Sequence, residues 1–384
     1  MGIFGWGKKS YVGVDLGGGG IKVVELLSEA KRTRLYTYGF SERAVGVEPV
    51  NIIDSESEAS GLLKEVFKKS RVTNQRAVAG LPISSVFSSV ITVPRGTEKE
   101  LQESIQYQAR KLIPVPLEEM VLDFKPINTN EADKKKTPKP EVKEGESTED
   151  ENGKSKDTAA EGKTSESKTV PVLITGASRS MVQKYVTVFK SAGVALDSLE
   201  TEAFGLIRSL VGKDRSPVMI VDIGAVRTNI IIVENGIPYV TRSLDMGGNT
   251  LTKVMAKSLE IDTIRAEQMK CDIKSVQTLY PGEGLPKIFE NAVSPLITEL
   301  RYSMNLYAGQ EGLHEGSGVE KIILTGGTSA LPSLTQHFTK ELGIKTYVGD
   351  PWARVAYAEE MRPLLDEIGP RFSVAVGLSM RDIE

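Results

Sequence analysis

An apolar run, an aspartate, a glycine-rich turn and a second apolar run occur twice in this chain. The first copy is Tyr11-Val-Gly-Val-Asp15-Leu-Gly17-Gly18-Gly19-Gly20-Ile-Lys22-Val-Val-Glu-Leu26. The second is Val218-Met-Ile-Val-Asp222-Ile-Gly224-Ala-Val-Arg-Thr228-Asn-Ile-Ile-Ile-Val233. Each reads as a β-hairpin whose tight turn follows an acidic residue. One hairpin in each half implies two related lobes around one ligand. Glycine lets backbone N–H groups approach anionic oxygens, and an aspartate before the turn can hold a cation directly or through water. The ligand this pattern suits is a metal-bound phosphate chain.

At 384 residues the chain exceeds one ordinary core. Its net charge of −3 gives no basic field for nucleic acid. Cys271 is the single cysteine, which excludes a disulfide framework and a thiolate metal site. His314 and His337 are the only histidines, so histidine-based metal or triad chemistry is disfavoured. No apolar stretch reaches the roughly 18 residues of a membrane span, and the N-terminus lacks a signal-peptide core. The default compartment is the cytoplasm.

The pattern divides the chain into a first lobe core at 1–81, a module at 82–195 and a second lobe at 196–384, with a small subdomain at about 245–318. In the module, Thr97 and Glu100 form a capping-box signature before Leu101, Ile105, Ala109 and Leu112 at helical spacing. Met120–Ile127 and Val170–Ala177 read as partner strands. Residues 129–168 between them hold no aromatic side chain and one larger aliphatic, Val142, so the expectation is a disordered loop. Leu196–Leu210 reads as a helix carrying Glu200 and Glu202. Lys287–Tyr307 reads as a helix open to interruption at Pro295, and Phe372–Met380 as a final small-residue helix.

Gly17, Gly18, Gly19 and Gly20 are expected to cradle phosphate oxygens, with Lys22 supplying a point charge. Gly224 and Thr228 face them from the other lobe. Asp15 and Asp222 are candidates to hold Mg²⁺ through water. Gly247 and Gly248 open a helix that forms a third anion-friendly terminus. Gly326 and Gly327 follow a strand, and their bare backbone leaves room for a flat ring or sugar.

The order of these motifs resembles the five-motif signature of the actin, sugar-kinase and heat-shock chaperone superfamily. Met246-Gly-Gly-Asn-Thr-Leu-Thr252 and the Glu267 and Lys270 pair are similar to its FtsA and PilM branch. Leu81-Pro82, Ile113-Pro114 and Leu122-Asp123-Phe124 resemble the PilM family in particular. That resemblance implies an α/β fold: a bilobal actin-like (ribonuclease H-like) ATPase fold with an extra FtsA/PilM-type subdomain in the first lobe. It implies ATP with Mg²⁺ between the lobes, Glu267 and Lys270 against ribose and adenine, and Glu200 orienting water, with Glu202 a nearby alternative. Gly18 to Gly20 stand where many relatives place a hydroxyl, so at most slow ATP hydrolysis is expected.

The implied partner is the N-terminal peptide of a PilN-like inner-membrane protein, together with other pilus assembly components. Its groove is expected near Ile83–Val93 and the 97–112 helix, which places the protein at the inner face of the plasma membrane. An FtsA-like division filament protein is the alternative. That family usually carries a C-terminal amphipathic membrane helix, and the 380–384 end has no such pattern. A small-molecule kinase is disfavoured, because Asp54 and Asp123 lack a catalytic context.

Overall fold

A computed structural model of the chain describes residues 9–29, 32–41, 52–127, 169–272, 278, 284–310, 313–314 and 318–383. The loop expected at 129–168 lies outside the described residues.

Long runs of Val and Ile form strands buried on both faces, as sheets sandwiched between helices require. In β9 (Val218–Ile223) and β10 (Thr228–Glu234) the buried residues are nearly continuous. The first sheet has the order β3 (Arg32–Phe40), β2 (Gly20–Glu29), β1 (Lys9–Gly17), β4 (Arg76–Leu81), β8 (Ala195–Thr201). The second has the order β11 (Ile237–Leu244), β10, β9, β12 (Lys321–Thr325), β13 (Thr346–Val348). In each, the hairpin strands pair antiparallel and the last two strands join parallel. The duplicated sequence motif is therefore a duplicated topology.

Helices cover both sheets. Those on the first are α1 (Glu56–Lys69) and α3 (Arg179–Ala192). Tyr185, Val188 and Phe189 of α3 pack with Val12, Val14 and Leu63, so α3 belongs by packing to the first-lobe core. The second sheet carries α5 (Gly248–Leu259), α6 (Thr263–Cys271), α7 (Lys287–Ala308) and α8 (Leu334–Leu342). Asn235 and Gly236, at φ 52° and 76°, turn β10 into β11, the backbone a two-residue hairpin demands.

A third sheet, β5 (Val86–Pro94), β7 (Thr169–Ser178) and β6 (Met120–Pro126), forms the module. Helix α2 (Glu98–Leu112) covers one face with Ile105 and Ala109 against Ile91, Val93 and Val172. The capping box at Thr97 and Glu100 is present. On the other face, Leu173 and Ile127 join the second-lobe core.

Two helices cross between the lobes. One is α4 (Glu202–Leu206), which continues as a π-helical turn over Ile207–Val211. The other is α9 (Arg362–Ser379), longer than the expected Phe372–Met380 segment because it runs through Pro370. Their backbones touch: a Cβ on Gly377 would lie 1.8 Å from the Gly205 carbonyl oxygen, so no other residue fits this crossing.

The expected helix at Leu196–Leu210 is corrected. Residues 195–201, Glu200 among them, pair as a strand along β4, and the helix begins at Glu202. The backbone groups along β4 need a partner, and that demand overrides local helix preference. Accordingly, the second-lobe boundary expected at 196 falls inside the first sheet. Leu112, expected on the inner face of α2, is exposed because it lies at the helix end. Helix α7 passes Pro295 unbroken. No described helix is long and apolar enough to cross a membrane.

Candidate functional site

The two hairpin turns meet at the base of the interlobe cleft. In the first, the antiparallel register places Asp15 opposite Lys22, and Lys22 Nζ lies 3.2 Å from Asp15 Oδ2. Lys22 also donates to the Gly20 carbonyl at 3.4 Å. Gly20 has φ 128°, and a Cβ there would lie 2.0 Å from the Ser41 carbonyl oxygen. Glycine is required at that position on both grounds. In the second hairpin, Gly224 N–H closes the turn on the Arg227 carbonyl at 2.9 Å. A Cβ built on Gly18 would come within 2.9 Å of Val226 Cγ2, and one on Gly19 within 3.3 Å of Ala225 Cβ, so the turns are in contact.

Three carboxylates gather behind these turns: Asp15, Asp222 and Glu202, the first residue of α4. Asp15 and Glu202 are 6 % and 8 % exposed. Loss of hydration raises the Asp222 carboxyl from 3.8 to about 6, with the Asp15 charge adding to the rise against the nearby Lys22. Burial, then the charges of Asp15 and Asp222, push Glu202 well above the ordinary carboxylate range. Asn229 lies opposite Asp222 in the hairpin. Its Nδ2 donates to both Asp222 Oδ2 and Glu202 Oε2 at 3.4 Å, while its Oδ1 accepts from Ser243 Oγ at 2.9 Å. The Ile83 N–H, at the start of the module, also donates to Glu202 Oε2 at 3.4 Å. The Tyr185 hydroxyl is buried with no hydrogen-bond partner; burial and the charges of Glu202 and Asp15 raise its pKa.

Glu200 is not part of this cluster. It pairs with Arg208 at 3.0 Å and with Arg381 at 3.0 Å, tying β8 to the π-helical turn and the chain's C-terminal segment. The glutamate buried beside Asp15 and Asp222 is Glu202, the alternative raised by the sequence.

A second group of predicted residues forms the far wall. The N–H groups of Gly248 and Asn249 donate to the Gly224 and Ala225 carbonyls at 2.9 and 2.8 Å, fastening α5 to the second turn. The donor expected at Gly248 is thus engaged within the fold, and the Gly247 N–H points at Thr250 Oγ1, 3.5 Å away. Thr228 Oγ1 donates to the Met246 carbonyl at 2.7 Å, so its hydroxyl anchors the same loop. Lys270 Nζ reaches Glu267 at 2.6 Å, Thr252 Oγ1 at 2.8 Å and the Gly248 carbonyl at 3.1 Å. Burial acts to raise the Glu267 carboxyl, but the Lys270 charge and hydrogen bonds from Lys270 and Thr252 outweigh it and hold the carboxyl low. Gly326 and Gly327 close this wall after β12, where the Gly326 N–H donates to the Pro370 carbonyl at 3.0 Å.

No group of three acidic, histidine or cysteine side chains among the described residues stands close enough to ligate a metal directly. Burial and the Asp15 charge nevertheless raise the cost of ionising Asp222, an environment that a cation relieves. The donor set fits Mg²⁺ held through water.

Comparison with known proteins accords with this geometry. The family described as type IV pilus assembly protein PilM matches residues 13–139 and 159–383. A solved PilM-PilN type IV pilus biogenesis complex contains a chain 24 % identical, covering 97 % of this chain and 98 % of its own, with a TM-score of 0.75. The ethanolamine utilization protein EutJ of Carboxydothermus hydrogenoformans is 16 % identical over 97 % of this chain and 89 % of its own, with a TM-score of 0.51. These likenesses establish the bilobal actin-like fold. The cell division protein FtsA of Neisseria meningitidis serogroup B is 27 % identical over 225 residues, 54 % of this chain and 52 % of that protein. The chain spans about half the length of the curated relatives it matches.

Proposed function

The chain belongs to the type IV pilus assembly PilM family, and from that premise we propose that it is an ATP-binding scaffold of pilus assembly. It docks the N-terminal peptide of a PilN-like inner-membrane protein from the cytoplasmic face. The observation that carries the nucleotide part is the cluster of Asp15, Asp222 and Glu202 behind two touching hairpin turns, with Lys22 beside it.

Backbone N–H groups of the Gly17–Gly20 turn and the Lys22 ammonium bind phosphate oxygens from one lobe, and the Gly224 turn faces them from the other. Asp15 and Asp222 hold the waters of Mg²⁺, which supplies charge neutralisation for the phosphates when bound. Glu267 and Lys270, already locked together, meet the ribose and adenine. Glu202, fixed by Ile83 N–H and Asn229, is the residue placed to orient a water; Glu200 is committed to its arginines. Because Glu202 is hydrogen-bonded to the first residues of the module, nucleotide binding is linked to the module's position and hence to peptide capture.

Support for the partner is the likeness to the chain of the PilM-PilN complex. The FtsA-like alternative rests on the match over about half the chain. Titration with Mg-ATP tests the nucleotide site: Asp15→Ala and Lys22→Ala each weaken binding at least about tenfold. Unchanged affinity in both variants would sink the assignment.

A further inference from the structure

A cavity of about 390 Å³ opens where the module meets the second lobe, lined in part by Ser243, which donates to Asn229. Ser84 lines it from the module, Thr241, Arg242 and Ser243 from β11, and Arg227 and Asp245 from the neighbouring turns. The nucleotide reading assigns no role to any of these side chains.

Two guanidinium groups converge here from separate elements. Arg227 Nε pairs with Asp245 at 2.9 Å, and the Asp245 side chain is 84 % exposed, so that pair lies in water and holds weakly. Arg242 forms an ion pair with Glu299 in which its buried Nε makes no hydrogen bond, and the guanidinium lies 4.9 Å from the Tyr302 ring centroid, which fixes its plane. A guanidinium carries five N–H donors, more than the one carboxylate beside each arginine takes up, so both arginines keep donors for a ligand. Ser84 and Thr241 add hydroxyls.

This donor set exceeds what the two oxygens of a carboxylate accept, and it suits the tetrahedral oxygens of a phosphate. A volume of about 390 Å³ also exceeds one phosphate ion and leaves room for an attached organic group. We propose that this cavity binds a phosphate group, free or as a monoester, between Arg227 and Arg242. Ser243 forms its inner wall and donates to Asn229, so an occupant sits one hydrogen bond from the residue that holds Glu202 and Asp222.

Calorimetric titration of the full chain with inorganic phosphate, and separately with glycerol phosphate, tests the proposal. Binding of both supports a monoester ligand, and binding of inorganic phosphate alone supports the free ion. The double variant Arg227→Met, Arg242→Met loses at least about tenfold in affinity, while Lys22→Ala leaves it unchanged. Arg242→Lys keeps the charge but not the fork; it weakens binding several-fold with an unchanged circular dichroism spectrum. No binding of either ligand, or binding that survives the arginine changes, overturns the proposal. Binding lost in Lys22→Ala also overturns it, because the phosphate is then in the interlobe cleft. The ATP titration reports on the cleft by itself, so either reading can fail alone.

Discussion

Replacing Asp222 with Asn should make the protein more stable at neutral pH. The Asp222 carboxyl titrates at about 6 in the folded protein against 3.8 as its ordinary value. A folded pKa above the unfolded one means the native state binds more protons between the two. Its stability contribution is complete below about pH 4 and is lost as pH rises through about 6. At about 1.36 kcal/mol for each pH unit between the two values, the loss amounts to about 3 kcal/mol near pH 7. Asn keeps an oxygen for the Asn229 amide and removes the charge, so Asp222→Asn recovers most of that amount. The assay is urea unfolding followed by circular dichroism at about pH 7.5 and about pH 4, in buffer free of nucleotide and divalent cation. The gain appears at the higher pH and shrinks at the lower. An equal gain at both pH values, or none, refutes the idea that crowded carboxylates destabilise this site.

The remaining predictions concern other members of the same architecture. Tyr185→Phe removes a buried hydroxyl that has no partner and raises stability by about 1 kcal/mol, read as a higher urea midpoint. Gly20→Ala forces a Cβ into the Ser41 carbonyl at a positive φ and destabilises by about 3 kcal/mol, visible as a lower melting temperature. Glu202→Gln abolishes any nucleotide turnover while Glu200→Gln leaves it within about twofold, measured by phosphate release. Equal effects of the two changes would return the role to Glu200.

Much of this arrangement was legible because hairpins obey local rules. The register that sets Lys22 across from Asp15, seven positions on, follows from a tight turn, and the structure pairs them directly. The same spacing from Asp222 reaches Asn229. A neutral amide carries no charge to mark it in the sequence, although the duplicated motif contains the signal. The Glu200 assignment was less legible. Leu196 to Thr201 has no strong alternation, and only the open side of β4 explains why it extends as a strand. Neither Tyr185 beneath the carboxylates nor the capture of the α5 amide groups by the second turn leaves a local mark, since both depend on contacts between distant segments. The module boundary was blurred for the same reason. Helix α3 follows the module in sequence, but its Tyr185 and Phe189 bury in the first-lobe core.

The central claim is a nucleotide-linked scaffold that captures a membrane protein's cytoplasmic peptide. Calorimetric titration with a synthetic N-terminal peptide of a PilN-like protein, with and without Mg-ATP, tests it most directly. The account predicts saturable binding whose affinity changes when Mg-ATP is present, and no such change in Lys22→Ala. Binding of Mg-ATP with no binding of the peptide under either condition would contradict it and favour the FtsA-like reading.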